Sequence, residues 1–546
     1  MTDTMKHFVF LVFILALSFA TGAQQTVGLT QYSSDAAAGY VLFSPINTTS
    51  TYLIDRCGHL RHTWTSDYTP GLSCYLLEDG SLLRTGKLEA NHFGAGGNGG
   101  FIELRDWLNN PIWQFEVSDS TQCQHHDVCP LPNGNILVIS WDLKTPDEAI
   151  NAGRNTALVG VELWSEKIME LHPIGSNQAE IVWEWRVWDH LVQEFDDTKP
   201  NYQIVSEHPE RVNLNFVNGA PTQRDWLHIN SVDYRADLDQ IVLSVHNFSE
   251  VWIIDHSTTT AEAASTTGGN SGKGGDLLYR WGNPRTYNMG TASDQILFGQ
   301  HHAHWMPESI DEDQSLLIFN NGLDRPNTPY TLVEELDPPM DANGHYTLNP
   351  SEAALPVSNT WQYPASPNTN FYASNISGAY RTPNGHLFVT HGPDGVLFEV
   401  DQLGNTIWSY TNPISGGVPF SQGEIATNNR VFKAVFYPEN YPAFATNDLV
   451  DNGPLELNST VDLCLVQSIE SNASDSNDMR IDGRNIHVQA SGDLFALDMQ
   501  GRMLKQWRGL QANETIALGE ELMHQPLILR LESISGSTTQ RIFVHE

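Results

Sequence analysis

Short runs of alternating apolar and polar residues dominate the chain, and they take two recurring forms. In the first, a run ending in an acidic residue is followed by a turn and then by a run carrying an aromatic. Tyr52-Leu53-Ile54-Asp55 with His62-Thr63-Trp64 is one copy, and Phe101-Ile102-Glu103-Leu104 with Ile112-Trp113-Gln114-Phe115 is another. Residues 168–171 with 181–185, 251–255 with 277–281, 332–336 with 360–363 and 397–401 with 407–410 bring the copies to six. An apolar period of two predicts strands rather than helices. The second form is a hairpin around Glu78-Asp79-Gly80-Ser81, Pro132-Asn133-Gly134-Asn135 or Pro383-Asn384-Gly385, with weaker copies over 233–245 and 308–319. Asp-Gly and Asn-Gly between apolar runs are strong hairpin signals.

Two hairpins per unit make four strands per unit, recurring at propeller-blade spacing. The run 431–437 has no successor and is expected to pair with 40–43, closing a ring of six blades. Insertions at 144–155, 188–223 and 258–275 break the spacing, and the composition shifts after Pro454. The predicted fold class is all-β: a six-bladed β-propeller over 24–455, with a small C-terminal β-sandwich over 461–546.

Composition refines this picture. Charged residues are 17% of the 546, hydrophobic residues 40%, and there are 15 Trp, a mix suited to a large extracellular β core. A formal charge of -37 argues against nucleic acid or an anionic membrane as partner. Lys6 and His7 precede an apolar run over 8–20 and a small-residue step at Thr21-Gly22-Ala23, the pattern of an export signal over 1–23. The run is short for a bilayer, so no membrane span is expected in the mature chain. The expected location is secreted or cell-surface, reached through the periplasm. Of five cysteines, Cys57 with Cys74 and Cys123 with Cys129 are near enough in sequence to pair, with buried free thiols as the alternative.

Chemistry concentrates in three passages: Gln124-His125-His126-Asp127, Asp225-Trp226-Leu227-His228-Ile229-Asn230-Ser231, and Gly299-Gln300-His301-His302-Ala303-His304-Trp305. Each opens an innermost strand, so His125, His126, His228, Asn230, His301 and His302 are expected at one mouth of the channel. The second strands end at the same mouth, adding Arg84, His246, Asn247, Asn320, Asn321 and His391. Successive side chains on a strand alternate, so His301, His302 and His304 cannot all enter one site. Three imidazoles could hold a metal, but no carboxylate-backed ligand motif accompanies them, and none is expected.

These three passages, with Leu131-Pro132-Asn133-Gly134-Asn135, Asn247-Phe248-Ser249-Glu250-Val251-Trp252 and Leu278-Tyr279-Arg280-Trp281-Gly282-Asn283-Pro284, resemble the secreted branch of the nucleotide-independent arylsulfate sulfotransferases. The resemblance spans about residues 40–445 and also implies a six-bladed propeller. It implies a cofactor-free transfer of a sulfuryl group from a small aromatic sulfate donor to a phenolic acceptor, through a sulfated histidine. By motif His301 is the nucleophile and His228 the proton donor and acceptor. Asn230 and His125 or His126 hold sulfate oxygens, and His302 lies nearby. His246 stands where the family often has Arg, which bears on how sulfate charge is met. Two other functions compete: a metal-dependent hydrolase or lyase on a propeller, and a non-catalytic propeller that binds sulfated or phenolic ligands. The Leu497-Asp498-Met499-Gln500-Gly501-Arg502 turn with the runs 527–531 and 541–544 resembles a type A sorting domain of type IX secretion, implying that machinery as a partner.

Overall fold

The computed structural model describes residues 25–341, 344–348, 352–459, 463–464, 479–482, 485–497, 502–519, 522, 526–533 and 536–543. The expected export segment 1–23 and the turn over 498–501 lie outside the described residues. Six antiparallel sheets succeed one another around the ring. The first holds Gly39–Phe43, Ser50–Asp55 and Leu60–Thr65; the second Pro70–Leu76, Leu82–Lys87, Gly100–Arg105 and Pro111–Glu116. The third holds Gln122–Pro130, Ile136–Lys144, Leu163–Ile174 and Gln178–Arg186; the fourth Ile229–Arg235, Gln240–Val245, Glu250–Asp255 and Tyr279–Trp281. The fifth holds His301–Trp305, Leu316–Asn320, Leu332–Leu336 and Trp361–Pro364; the sixth Gly378–Arg381, Leu387–His391, Val396–Val400 and Thr406–Thr411.

The expected closure is present. Val435–Pro438 completes the first blade by pairing with Gly39–Phe43, with Tyr40 opposite Tyr437 and Leu42 opposite Val435. A second closure was not foreseen: Gly28–Tyr32 adds a fifth, outermost strand to the sixth blade against Thr406–Thr411.

The recurring aromatic of each outer strand has a definite task. Trp64 Nε1–H donates to the Asp106 carbonyl of the second blade at 3.0 Å, and Trp113 to Gln178 of the third at 2.7 Å. Trp185 donates to Gly275, ahead of the fourth blade's outer strand, at 2.7 Å, and Trp281 to Pro356, ahead of the fifth blade's outer strand, at 2.7 Å. Trp408 of the last blade donates to Arg56 of the first at 2.6 Å. Each ring is buried, which contributes about 3 kcal/mol of apolar burial per side chain, and its one polar atom finds a neighbouring carbonyl. At the fifth blade Trp361 is met instead by the Arg381 guanidinium of the sixth, 4.0 Å over its ring. Arg56 also stacks 3.8 Å over Trp408 and pairs with buried Glu399.

After the propeller, Met479–Asp482, Asn485–Val488 and Thr515–Ala517 form one sheet. Met503–Leu510, Gly492–Leu497, Pro526–Ser533 and Gly536–Phe543 form another. Ile486, Val488, Leu494, Leu510, Leu527 and Leu529 share one core between the sheets, the expected sandwich. Cysteine pairing departs from expectation. Cys57 joins Cys464, 407 residues away, while Cys74, Cys123 and Cys129 are free and buried. Cys74 and Cys123 sit within β-strands of the second and third blades, so nearness in sequence brought neither expected pair together.

Candidate functional site

The inner strands of the third, fourth and fifth blades do not start as regular strands. Register slips opposite 138–140, between Ile229 and Ser231 and between His301 and His304 mark a bulge in each. At these irregularities His126, His228 and His302 take φ of 55°, 55° and 47°. Left-handed backbone is costly for most residues and tolerated better by His, Asn and Asp, and bulges re-aim side chains beside functional sites. The irregularity turns His126, His228 and His301 onto one chamber. His126 and His228 ring centres are 4.5 Å apart, His228 and His246 5.1 Å, and His246 and His301 5.3 Å. Phe432 borders the chamber 6.1 Å from His126 and 6.4 Å from His301.

Each of three imidazoles has its Nδ1 held by a partner whose own orientation is fixed. Asn321 donates from Nδ2 to the Ala373 and Ile376 carbonyls at 2.8 and 2.9 Å, which turns Oδ1 to His301 Nδ1 at 2.8 Å. Nδ1 therefore carries the proton, and Nε2 is left as the basic nitrogen. Asn247 donates to the Asp225 carbonyl and presents Oδ1 to His246 Nδ1 at 2.9 Å, with the same result. His228 Nδ1 meets Asp225 Oδ2 at 2.5 Å, and Trp141 Nε1–H donates to the other carboxylate oxygen.

Burial holds the His301 and His126 imidazoles well below the usual histidine range, with neighbouring imidazoles adding to the effect. Burial and then His228 bring His246 down to about 4, so all three are neutral near pH 7. Burial pushes the Asp225 carboxyl up, but the charge and hydrogen bond of His228 outweigh it and leave Asp225 below its ordinary value. The chamber thus combines neutral imidazoles with one ionised carboxylate behind His228.

The other expected site residues are placed differently. His125 lies behind His126, its Nδ1 2.9 Å from His126 Nδ1 and its ring stacked on Trp141 at 4.1 Å. It supports His126 and is fully buried. Asn230 donates from Nδ2 to the Gln300 carbonyl at 2.8 Å and so braces the strand bearing His301. His302 is not in the chamber. The bulge sends it to the opposite side, where it stacks on His304 at 4.2 Å and meets Tyr380 at 4.7 Å. Arg84 is committed to Glu103 and the Tyr68 carbonyl, Asn320 to Glu334, and His391 to the Tyr372 carbonyl. Among the described residues, no group of three or more His, Cys, Asp or Glu is arranged to hold a metal ion.

Sequence reasoning missed the loop that covers the chamber. His126 N–H donates to the Gly97 carbonyl at 2.8 Å, and the His126 ring occupies the space a Gly97 side chain would need. Gly97 also has φ of 84°, and a Cβ at Gly96 would come within 3.8 Å of His228. The glycines at 94, 96, 97, 99 and 100 were the available signal, since backbone approaches an imidazole this closely only where no Cβ intervenes.

An arylsulfotransferase family model matches residues 28–412, all of the propeller but its closing strand, and the span includes all three histidine passages. The chain belongs to the arylsulfotransferase family. An arylsulfotransferase role, with an aryl sulfate donor and a phenol acceptor, follows at the level of the family. A search of curated proteins found no match. Similar solved structures include a Bacteroides caccae protein of unknown function, 10% identical, covering 68% of this chain and 93% of that one with a TM-score of 0.38. The Pseudomonas aeruginosa periplasmic gluconolactonase is 11% identical over 69% and 97% with a TM-score of 0.35. The Myceliophteria thermophila Cps50 β-propeller domain is 9% identical over 72% and 90% with a TM-score of 0.36.

Proposed function

We propose that this arylsulfotransferase works in two steps through a sulfohistidine at His301. The observation that carries the reading is the Asn321 clamp on Nδ1, which leaves a neutral Nε2 as the nucleophile. In the first step Nε2 attacks sulfur, the bond from sulfur to the aryl oxygen breaks, and the leaving oxygen takes a proton from His228. In the second, a phenol gives its proton back to His228, its oxygen attacks sulfur, and the S–N bond breaks. Asp225 steadies His228 in its protonated form, before the first step and again after the second, and holds the neutral ring by Nδ1 between them. Charge spreads over the peripheral oxygens in a loose transition state, as in phosphoryl transfer. His126 and His246 border that space and supply the positioning.

The test is release of nitrophenol from 4-nitrophenyl sulfate, with and without added phenol, in chelator. Wild type is expected to release nitrophenol in a phenol-dependent manner and to carry a sulfuryl adduct on His301 in peptide mass spectra of samples quenched and digested at alkaline pH, where the S–N bond survives. His301→Ala is expected to do neither. Release equally fast without phenol, or an active His301→Ala chain, would sink the reading.

We further propose export, with the C-terminal sandwich serving as a type IX sorting domain. The apolar N-terminal run and the Cys57–Cys464 disulfide support it, since structural disulfides belong to oxidising compartments. Among the described residues no helix is long and apolar enough to cross a membrane. Cell fractionation with and without residues 461–546 tests the proposal. A truncated chain that still reaches the cell exterior would overturn the sorting role.

A further inference from the structure

The channel holds a second compartment that the transfer chemistry does not use. Phe432 faces the histidine chamber, and the next residue closes its far side. Lys433 Nζ is buried and donates to Asp127 at 2.8 Å and to the Tyr75 hydroxyl at 2.6 Å. Beyond this bar a cavity of about 660 Å³ opens, lined by Asp233, His302, His304, Trp305 and Tyr380 and touching none of His126, His228, His246 or His301.

Three observations mark it as built for a ligand. Its volume falls within the range of small-molecule sites. His304 is more than nine-tenths buried, yet neither ring nitrogen has a hydrogen-bond partner, and a buried polar group left unmatched costs free energy. His302 Nδ1 accepts from Ala379 N–H at 3.3 Å, so its Nε2 carries the hydrogen. The cavity thus offers a donor at His302, a donor and an acceptor at His304, and a carboxyl at Asp233.

The ligand class follows from the lining. Lys433 and Asp127 cancel one another, and burial keeps both imidazoles neutral, so an anionic ligand would meet no counter-charge, while the Asp233 carboxyl, pushed up to about 6 by burial, already accepts from Trp305 N–H at 2.9 Å. Tyr380, Trp305, Tyr437 and Leu104 supply flat apolar wall. We propose that this compartment is a distinct binding site for an uncharged aromatic ring bearing more than one hydroxyl, its hydroxyls bonded to His304 and His302. The inference does not depend on sulfuryl transfer, because it invokes none of the chamber residues.

Calorimetric titration of the full chain with 4-methylcatechol tests it, with glucose as the non-aromatic control. Wild type and His301→Ala are expected to bind alike at this site. His304→Phe and His302→Phe, each checked for an unchanged melting temperature, should weaken that binding by about fivefold or more, the loss of one buried hydrogen bond. If catechol also occupies the chamber, wild type should show two equivalents and His304→Phe one. No binding up to about 10 mM, a Kd weaker than any useful site, would overturn the proposal. So would binding abolished by His301→Ala and untouched by His304→Phe. Glucose bound as tightly, with the same dependence on His304, would overturn the aromatic class. A chain inactive in transfer that still binds catechol through His304 would leave this site standing while removing the proposed function.

Discussion

His246 offers the sharpest quantitative prediction. Its imidazole is fully buried, and burial with the nearby His228 moves it from 6.5 to about 4. A base that is weaker folded than unfolded takes up protons preferentially when unfolded, so stability rises with pH across the window from about 4 to 6.5 and is lost on acidification. Near pH 5 the unfolded imidazole is almost fully protonated and the folded one almost neutral. The difference in proton binding, integrated down from neutrality, is about 2 kcal/mol, growing to about 3 kcal/mol below the folded value. That is a sizeable part of a typical folding free energy of ~5–15 kcal/mol. His246→Gln keeps a polar group beside Asn247 and removes the titration. Urea unfolding of both chains at about pH 8, 6 and 5 should show the wild type losing about 2 kcal/mol more than the variant between the extremes. Parallel pH dependences in the two chains would refute the reasoning, because the buried imidazole would then not be resisting protonation. Sulfate adds a second reading: an anion in the chamber favours the protonated ring, so sulfate should stabilise wild type more at pH 5 than at pH 8, and the variant much less so.

Other outcomes follow from single contacts. Asp225→Asn should keep the fold, through Trp141 and Asn247, yet lower phenol-dependent transfer by about 10²–10⁴-fold in steady-state assays, by disturbing the proton partner of His228. Gly97→Ala should cut kcat/KM by about 10²-fold and also lower stability by about 1–3 kcal/mol, because the new methyl displaces the His126 ring and the left-handed backbone disfavours a Cβ. Lys433→Met should destabilise the chain by about 3–5 kcal/mol in denaturant titrations, leaving Asp127 buried and unpaired, and adding Asp127→Asn should recover much of the loss. Cys464→Ser, or reduction, should lower stability by about 2–4 kcal/mol in thermal scans.

The ring was legible because its repeat has a physical cause. Every blade needs an alternating outer strand with an aromatic to meet the next blade, so Trp64, Trp113, Trp185, Trp281 and Trp408 recur at matched places. Val431-Phe432-Lys433 leading into Val435–Pro438 lacked a hairpin partner in sequence, and ring closure supplied one. The clustering of His126, His228 and His301 was legible for the same reason, as matched positions in successive blades. Alternation rightly kept the three histidines of that strand from entering one site, but His302, expected with His301 at the mouth, lies on the other side and stacks on His304. The grip of Asn321 on His301 links the ends of paired strands in one blade, where both residues were expected at the same mouth, whereas the floor made by Lys433 with Asp127 joins the first and third blades and no local pattern encodes it. The disulfide was beyond reach because 407 residues separate its ends. The glycine loop has no apolar period, so its cover over His126 emerged only with the backbone in place.

The joining of the first and last blades also has a consequence in time. Gly39–Phe43 cannot acquire its inner partner until Pro438 has been made, about 400 residues later. At ribosomal rates of ~5–20 residues per second, that strand waits for about 20–80 s with an unpaired edge. Gly28–Tyr32 waits almost as long for Thr406–Thr411. A nascent chain in that interval carries two open apolar edges, the feature that invites sticking to other chains. The same delay keeps the molecule unlatched and threadable for most of its synthesis. Its last inner strand acts as a clasp that determines when the polypeptide stops being a thread and becomes an enzyme.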